Sequence, residues 1–507
     1  MTMKVQQGKR TGIVRIGLFN LLMRLLISPL AFVFSLLIAK YLSSISIDTF
    51  GAWQSIYVLI TGYFLVPADV LSAIAGRYAA EGKKIGGLIA INSLAGAVVL
   101  SVYFIIVPFL SSFGGSEYEV YFYDAGILLF LYYVLDITKA VSLGKSPRVN
   151  AIGNVAFQLV RLVTAVVFIY KFNLSILAVI LAYSLGYLSQ ILTYVKFTKA
   201  DFSVDFKIAI ASIRKSVVFI TSYIQGIIEA SMIWIAVYLL RSYDPVSYFE
   251  SALIISNIVI WSSSASDGLI LKLAESKDAR VLETALKLFF AVGSLFLLFA
   301  VVDGLPLLYI LRSDYISAFT ALTILSVSNF VRSIYGIFYR AIYMADVTLN
   351  VESTEELRGP TARLIRSNVL ISAIGVVLSG GIIYFLSKSD LSPSYGYPLV
   401  ATVISVGLLV NSLGMVITSF LAAKKLYNFN FPLKEAIVPI LATAVVSLLF
   451  LTWFSIHGMP KLRTLEEIKE ILLISLASGS LYLAINWILN PYVKELVKRV
   501  IMEIKNL

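Results

Sequence analysis

The chain has 507 residues, 59% of them hydrophobic and only 14% charged, with a mean hydropathy of +0.89; no ordinary soluble domain has this balance, so a bilayer is its main solvent. The formal net charge of +12 sits in short connectors between apolar runs, which is an orientation signal rather than a nucleic-acid surface. The absence of cysteine excludes disulfides, thiolate metal sites and thiol nucleophiles, and a single histidine, His457, excludes clustered histidine sites; no metal, cofactor or nucleic-acid partner is expected.

A membrane-spanning helix needs about 20 predominantly apolar residues. The polar, basic stretch Met1–Arg15 runs directly into an apolar segment without a small-residue cleavage site, and reads as a retained signal anchor. From there the length criterion places helices at 16–40, 51–73, 85–110, 120–143, 151–171, 174–195 and 215–240. Seven more follow at 246–271, 285–311, 316–343, 364–387, 396–421, 434–456 and 468–490. The fold class is therefore all-α and integral to the membrane, with about fourteen transmembrane helices. The longest polar break in the first half, Asp201–Lys215, alternates charges with Phe202, Phe206, Ile208 and Ile210 and reads as an interfacial linker on the cytoplasmic side. It divides the chain into an N-terminal lobe of helices one to six (1–200), the linker (201–214), a C-terminal lobe of helices seven to twelve (215–425), and helices thirteen and fourteen with a tail (426–507).

The connectors check the helix count, because one missing helix would scramble their charge. Thirty of the 41 Lys and Arg fall on alternate connectors, from Lys4, Lys9, Arg10 and Arg15 at the start to Lys494, Lys498, Arg499 and Lys505 at the end, and eight fall on the others. The basic side is expected to be cytoplasmic, with both termini there. A shift of 198 residues places Asp69 on Asp267 together with five apolar or hydroxyl matches, as a parallel repeat about the membrane normal would.

The three remaining cations lie inside predicted spans, where each costs about 2.5 to 3.5 kcal/mol on insertion scales. Arg24 follows Asn20 on helix one, Arg161 follows Asn154 and Gln158 on helix five, and Arg332 sits among Asn329, Ser333, Gly336 and Arg340 on helix ten. Spacings of three, four and seven put each set on one helical face, and a rise of ~1.5 Å per residue puts all three at similar depth. Helix seven adds Gln225 and Glu229. The competing readings are snorkelling for Arg24 and Arg332, a buried pair with Glu229, Asp124 or Asp136 for Arg161, and interfacial ion pairs with Arg77 and Lys272 for Asp69 and Asp267. Asp136 and Lys139, three apart, are expected to pair with each other. A surplus of guanidinium over carboxylate at mid-membrane is best explained by a central aqueous cavity that receives an anion, and guanidinium suits phosphate. Arg24, Arg161, Arg332, Asn20, Gln158 and Asn329 are thus candidate substrate-binding residues, Glu229 a candidate for ion coupling, and Asp69 and Asp267 candidate gating ion pairs. Pro29, Pro67 and the pair Gly380–Gly381 mark places where a span bends.

The opening residues Arg15-Ile-Gly-Leu-Phe-Asn-Leu-Leu-Met-Arg24, then Leu36-Leu-Ile-Ala-Lys40-Tyr-Leu42, then Thr49-Phe-Gly-Ala-Trp53 resemble the start of polysaccharide flippases of the multidrug/oligosaccharidyl-lipid/polysaccharide (MOP) exporter superfamily. The resemblance is clearest over Arg15–Lys84. It implies two six-helix lobes around a central cavity, alternating access, and a lipid-linked oligosaccharide as substrate, with Arg24 matching the helix-one arginine that charges the cavity. The fourteen-helix count is more like the lipid II flippase branch than the commoner twelve-helix one. The expected protein is then a monomeric transporter in the plasma membrane, surrounded by membrane lipids, and not an enzyme. The rival readings are a cation-coupled multidrug exporter of the same superfamily, which would favour an acidic cavity, and a membrane glycosyltransferase or glycan polymerase, which would need acids on larger external loops than this chain has.

Overall fold

The computed structural model describes residues 27–72, 75–216, 220–263, 278–346, 359–389, 392–460, 468–496 and 498. Among these the structure is helical throughout, with no strand, and twelve helices are long and apolar enough to span a bilayer. A thirteenth span is the bent pair Ile47–Phe64 and Val66–Ser72, whose halves meet at 42°. The eighth predicted span, 246–271, is described only to Ser263, as α12 (Asp244–Ser256) and α13 (Ile258–Trp261) broken at Asn257. The protein is therefore a multi-pass membrane protein. The chain forms two compact units, residues 1–246 and 247–507.

The first unit contains α1 (Ile27–Ile45), α2 (Ile47–Leu59), α3 (Val66–Ser72), α4 (Ala75–Ala80), α5 (Gly86–Ser111), α6 (Glu119–Asp124), α7 (Gly126–Lys145), α8 (Pro147–Tyr170), α9 (Ser175–Phe197), α10 (Phe206–Ser216) and α11 (Ile220–Leu240). Ser46 starts α2 by accepting the Thr49 N–H on its hydroxyl at 2.9 Å, which satisfies one of the orphan donors of a helix start. The bend after α2 has a local cause. Pro67 has no N–H and its ring crowds the carbonyl four residues back; the chain answers with a π-helical turn over Ile60–Phe64, closed by the Leu65 N–H on the Ile60 carbonyl at 3.0 Å.

Helix α5 displays the solvent it is built for. Leu88, Asn92, Gly96, Tyr103 and Val107 are buried on one face, while Leu94, Val98, Ile105 and Phe109 are exposed on another, Ile105 at 78%. Apolar side chains on both faces, with only one face touching protein, are stable where hydrocarbon replaces water. Since lipid removes the hydrophobic drive for helices to associate, small residues and polar clasps hold spans together. Asn92 donates to the Tyr133 carbonyl at 2.6 Å, and Tyr103 to the Phe122 carbonyl at 2.6 Å.

The second unit continues with α14 (Ala279–Val302), α15 (Gly304–Leu311), α16 (Phe319–Ala345), α17 (Pro360–Ser387), α18 (Pro393–Tyr427), α19 (Leu433–His457) and α20 (Ile468–Leu489). Its core is an aromatic cluster between α14, α16 and α18 that includes Phe289, Phe330, Phe338 and Phe429, with the Phe289 and Phe330 rings 5.1 Å apart. α17 is continuous through Gly380 and Gly381. α19 and α20 dock on α14 through polar clasps: Thr443 donates to the Ser294 carbonyl at 2.7 Å, Tyr482 to the Ala291 carbonyl at 2.7 Å, and Ser475 to Asp303 Oδ2 at 2.6 Å.

Candidate functional site

In the first unit the polar stripe of α8 is buried against α9. Asn154 donates to Asn150 Oδ1 at 3.3 Å, and Gln190 of α9 donates to Asn154 Oδ1 at 2.7 Å and to the Tyr194 hydroxyl at 2.7 Å. Two turns of helix above Asn154, Arg161 is 6% exposed. Its terminal nitrogen donates to Gln158 Oε1, while Nε has no hydrogen-bond partner. Three rings take the place of a counter-ion: the guanidinium carbon lies 3.8 Å from the Phe34 ring centre, 4.6 Å from Phe157 and 4.7 Å from Tyr183. Aromatic faces attract a cation by their quadrupole, by about 2 kcal/mol or more when desolvated. Among the described residues no carboxylate forms an ion pair with Arg161, so the expected partners Glu229, Asp124 and Asp136 do not fill that role there. Glu229 instead accepts from Gln225 on its own helix at 3.3 Å.

Asp69 lies on α3 beyond the bend, and Tyr223 of α11 donates to its backbone carbonyl at 3.3 Å. On α7, Asp136 accepts from the Ser72 hydroxyl. Lys139, a turn further on, does not close to ion-pair contact with it among the described residues, so the expected intrahelical pair gives way to a bond between helices. Asn20, Arg24 and Asp267 lie outside the described residues, as does the side chain of Arg77.

The second unit has a cavity of 230 Å³ lined by Ile260, Ser263, Asn329, Arg332, Ser333, Gly336, Ile337 and Arg340. Here the predicted stripe of helix ten becomes a wall. α16 presents Asn329, Arg332, Ser333, Gly336 and Arg340 at successive turns because their spacing follows the helical period. Among the described residues a Cβ on Gly336 would meet nothing within 4 Å, so the wall is open at that point. Asn329 is partly committed to architecture, donating to Ser256 Oγ at 3.1 Å and Asn257 Oδ1 at 3.3 Å across the break in helix eight. Arg340 belongs to this wall although its charge counts with the cytoplasmic connector in the sequence; the signal was its place two turns after Arg332 on one face.

Two features escaped the sequence. Glu250 on α12 is 7% exposed with no hydrogen bond or ion pair among the described residues; it sits so near the start of a predicted span that it reads as interfacial. An apolar groove of 460 Å³ runs between α19 and α20, lined by Leu449, Phe450, Trp453, Leu473, Ile474 and Ala477.

These elements define a polytopic membrane protein whose fold is like that of solved membrane transporters. Among solved structures, the chain is similar to the lipid II flippase MurJ in an inward closed conformation, with a TM-score of 0.64 and 13% identity over 95% of this chain and 100% of that one. It is also similar to a multidrug resistance MATE family transporter of the MOP superfamily, inward-facing (TM-score 0.55, 14% identity, 81% of this chain and 98% of that one) and outward-facing (TM-score 0.50, 16% identity, 82% and 96%). No family model and no curated protein matches the chain.

Proposed function

We propose that the protein flips a polyprenyl-(pyro)phosphate-linked oligosaccharide from the cytoplasmic to the external leaflet of the plasma membrane by alternating access, for surface polysaccharide or glycoprotein glycan synthesis. The observation that carries this reading is the cavity walled by Arg332 and Arg340 with Asn329 beside them. Two guanidinium groups on one wall suit the oxygens of a phosphate or diphosphate. The groove between α19 and α20 offers what such a substrate also needs, an apolar channel for a prenyl chain. The fold supports the same direction: the likeness to the lipid II flippase takes in 95% of the chain with a TM-score of 0.64, and the MATE likeness 81% with a TM-score of 0.55.

In this reading Arg24, Asn20, Arg161 and Gln158 join Arg332 and Asn329 in holding the anionic headgroup, Glu229 couples an ion, and Asp69 and Asp267 form gating pairs. Both termini are cytoplasmic and the transporter works as a monomer. An interior-negative potential favours outward movement of an anion by about 2.3 kcal/mol per charge per 100 mV. A cation-coupled multidrug exporter is the second reading, favoured by the carboxylates of Asp69 and Asp136 in the first unit, which a positively charged drug would require.

The test is the affinity of purified protein for a short-chain prenyl diphosphate sugar and for its uncharged analogue. Loss of charge-assisted bonds to phosphate costs about 1.5 to 3 kcal/mol, so Arg332→Gln is expected to weaken the diphosphate ligand about 10- to 100-fold and leave the neutral one unchanged. Equal affinity of the two proteins for the diphosphate would remove the cavity from the account.

A further inference from the structure

The linker is part of the first unit's surface. The Ile85 N–H donates to the Asp201 carbonyl at 2.9 Å and the Gly86 N–H to the Ser203 carbonyl at 3.0 Å. The fit tolerates only glycine, because a Cβ on Gly86 would stand 2.1 Å from the Phe202 carbonyl oxygen and one on Gly87 2.6 Å from that of Asp205. Asp205 then caps α10, its Oδ1 accepting the N–H groups of Lys207 at 3.0 Å and Ile208 at 3.2 Å. One face of α10 is committed: Ala209 and Ile208 pack with Ala75, Tyr78, Ile85 and Val141.

The opposite face is apolar and uncovered. Phe206 is 55% exposed and Ile210, one turn later, 50%. Earlier in the chain, Leu185, Leu188, Leu192 and Val195 are exposed at helical spacing along α9, and exposed Phe197 follows them before the linker. The linker and the chain next to its contacts carry Lys84, Lys196, Lys199 and Lys207, all exposed and none in an ion pair among the described residues. The nearby acids are occupied: Asp205 with the helix start, and Asp201 with the Ser203 hydroxyl at 2.6 Å and the Ser203 N–H at 3.0 Å, bonds that hold its carboxyl below the usual range. Four lysines against two engaged aspartates leave the patch positive.

We infer that α10 is an in-plane helix seated at the headgroup–acyl boundary, and that the lysines around it bind anionic phospholipid headgroups of that leaflet. Apolar burial sets the depth and phosphate satisfies the ammonium groups, the combination that draws amphipathic helices to anionic membranes. The lipid thereby fixes the chain where it passes from α9 to α11, independently of what the protein transports.

Because the chain has no cysteine, Phe206→Cys or Ile210→Cys gives a unique site for a polarity-sensitive nitrobenzoxadiazole label. The labelled protein is reconstituted in phosphatidylcholine vesicles containing spin-labelled phosphatidylglycerol or spin-labelled phosphatidylcholine, and quenching gives the relative affinity of the two lipids at that position. Emission is expected to be blue-shifted, with aqueous iodide a poor quencher. Phosphatidylglycerol is expected to be preferred about fivefold for each engaged lysine, the preference falling toward unity in the Lys84→Gln/Lys199→Gln/Lys207→Gln variant, whose exposed substitutions leave the core intact. Free access of iodide to the label, or equal quenching by the two lipids before any lysine is replaced, would overturn the inference.

Discussion

Arg161 illustrates how a single cation is accommodated in a membrane without a carboxylate. A buried guanidinium is expensive unless its donors and charge are met, and here one side-chain amide and three ring faces share the task. The sequence places Gln158 one turn from Arg161 on the same face, and the structure has the two side chains in hydrogen-bond contact. The rings are a different matter, because Phe34 and Tyr183 approach Arg161 from α1 and α9, and no local spacing encodes contacts between elements. The same limit explains Ser72 as the partner of Asp136: a hydroxyl 64 residues away is invisible to an i, i+3 rule. Phe34→Leu keeps apolar volume but removes the nearest quadrupole, and is expected to lower stability in detergent by about 1 to 2 kcal/mol, seen as a lower thermal midpoint. An unchanged midpoint would mean that the ring contact contributes nothing.

At the scale of elements, the pattern of apolar runs was sufficient wherever a span is straight. The predicted 151–171 and 174–195 correspond to Pro147–Tyr170 and Ser175–Phe197, because proline at a helix start and a polar turn set the ends. It was insufficient where a span breaks. Pro67 announced the bend in helix two, but the π-helical turn that absorbs it lies before the proline, at Ile60–Phe64; the break at Asn257 has no proline or glycine beside it and depends on the Asn329 amide reaching across from α16. The linker was legible as amphipathic, while its attachment was not, since it depends on backbone carbonyls meeting Gly86 and Gly87. Gly86→Val is expected to lift Asp201–Asp205 from the start of α5, at a cost of about 1 to 3 kcal/mol for overpacking. Limited proteolysis reads this directly: the variant should be cut in the linker at protease levels that leave the parent chain whole, and equal resistance would refute the docking.

For the whole molecule, the length of the apolar runs carried the architecture, because the thickness of a bilayer sets the length of any helix that spans it. The stripe of α16 was legible as a face, Arg340 included, and the structure turns that face into a cavity wall. What a helical period cannot supply is the volume opposite, onto which Gly336 presents no side chain.

The central claim, that this cavity serves an anionic glycolipid headgroup, is tested most directly by headgroup translocation in vesicles reconstituted with the parent protein or with Gly336→Leu, which adds bulk to the cavity wall and keeps both arginines. The account predicts that the parent moves a fluorescent prenyl diphosphate sugar across the bilayer faster than protein-free vesicles do, and that Gly336→Leu, with an unchanged thermal midpoint, loses most of that rate. Equal rates for the two proteins, or a parent no faster than bare lipid, would contradict it.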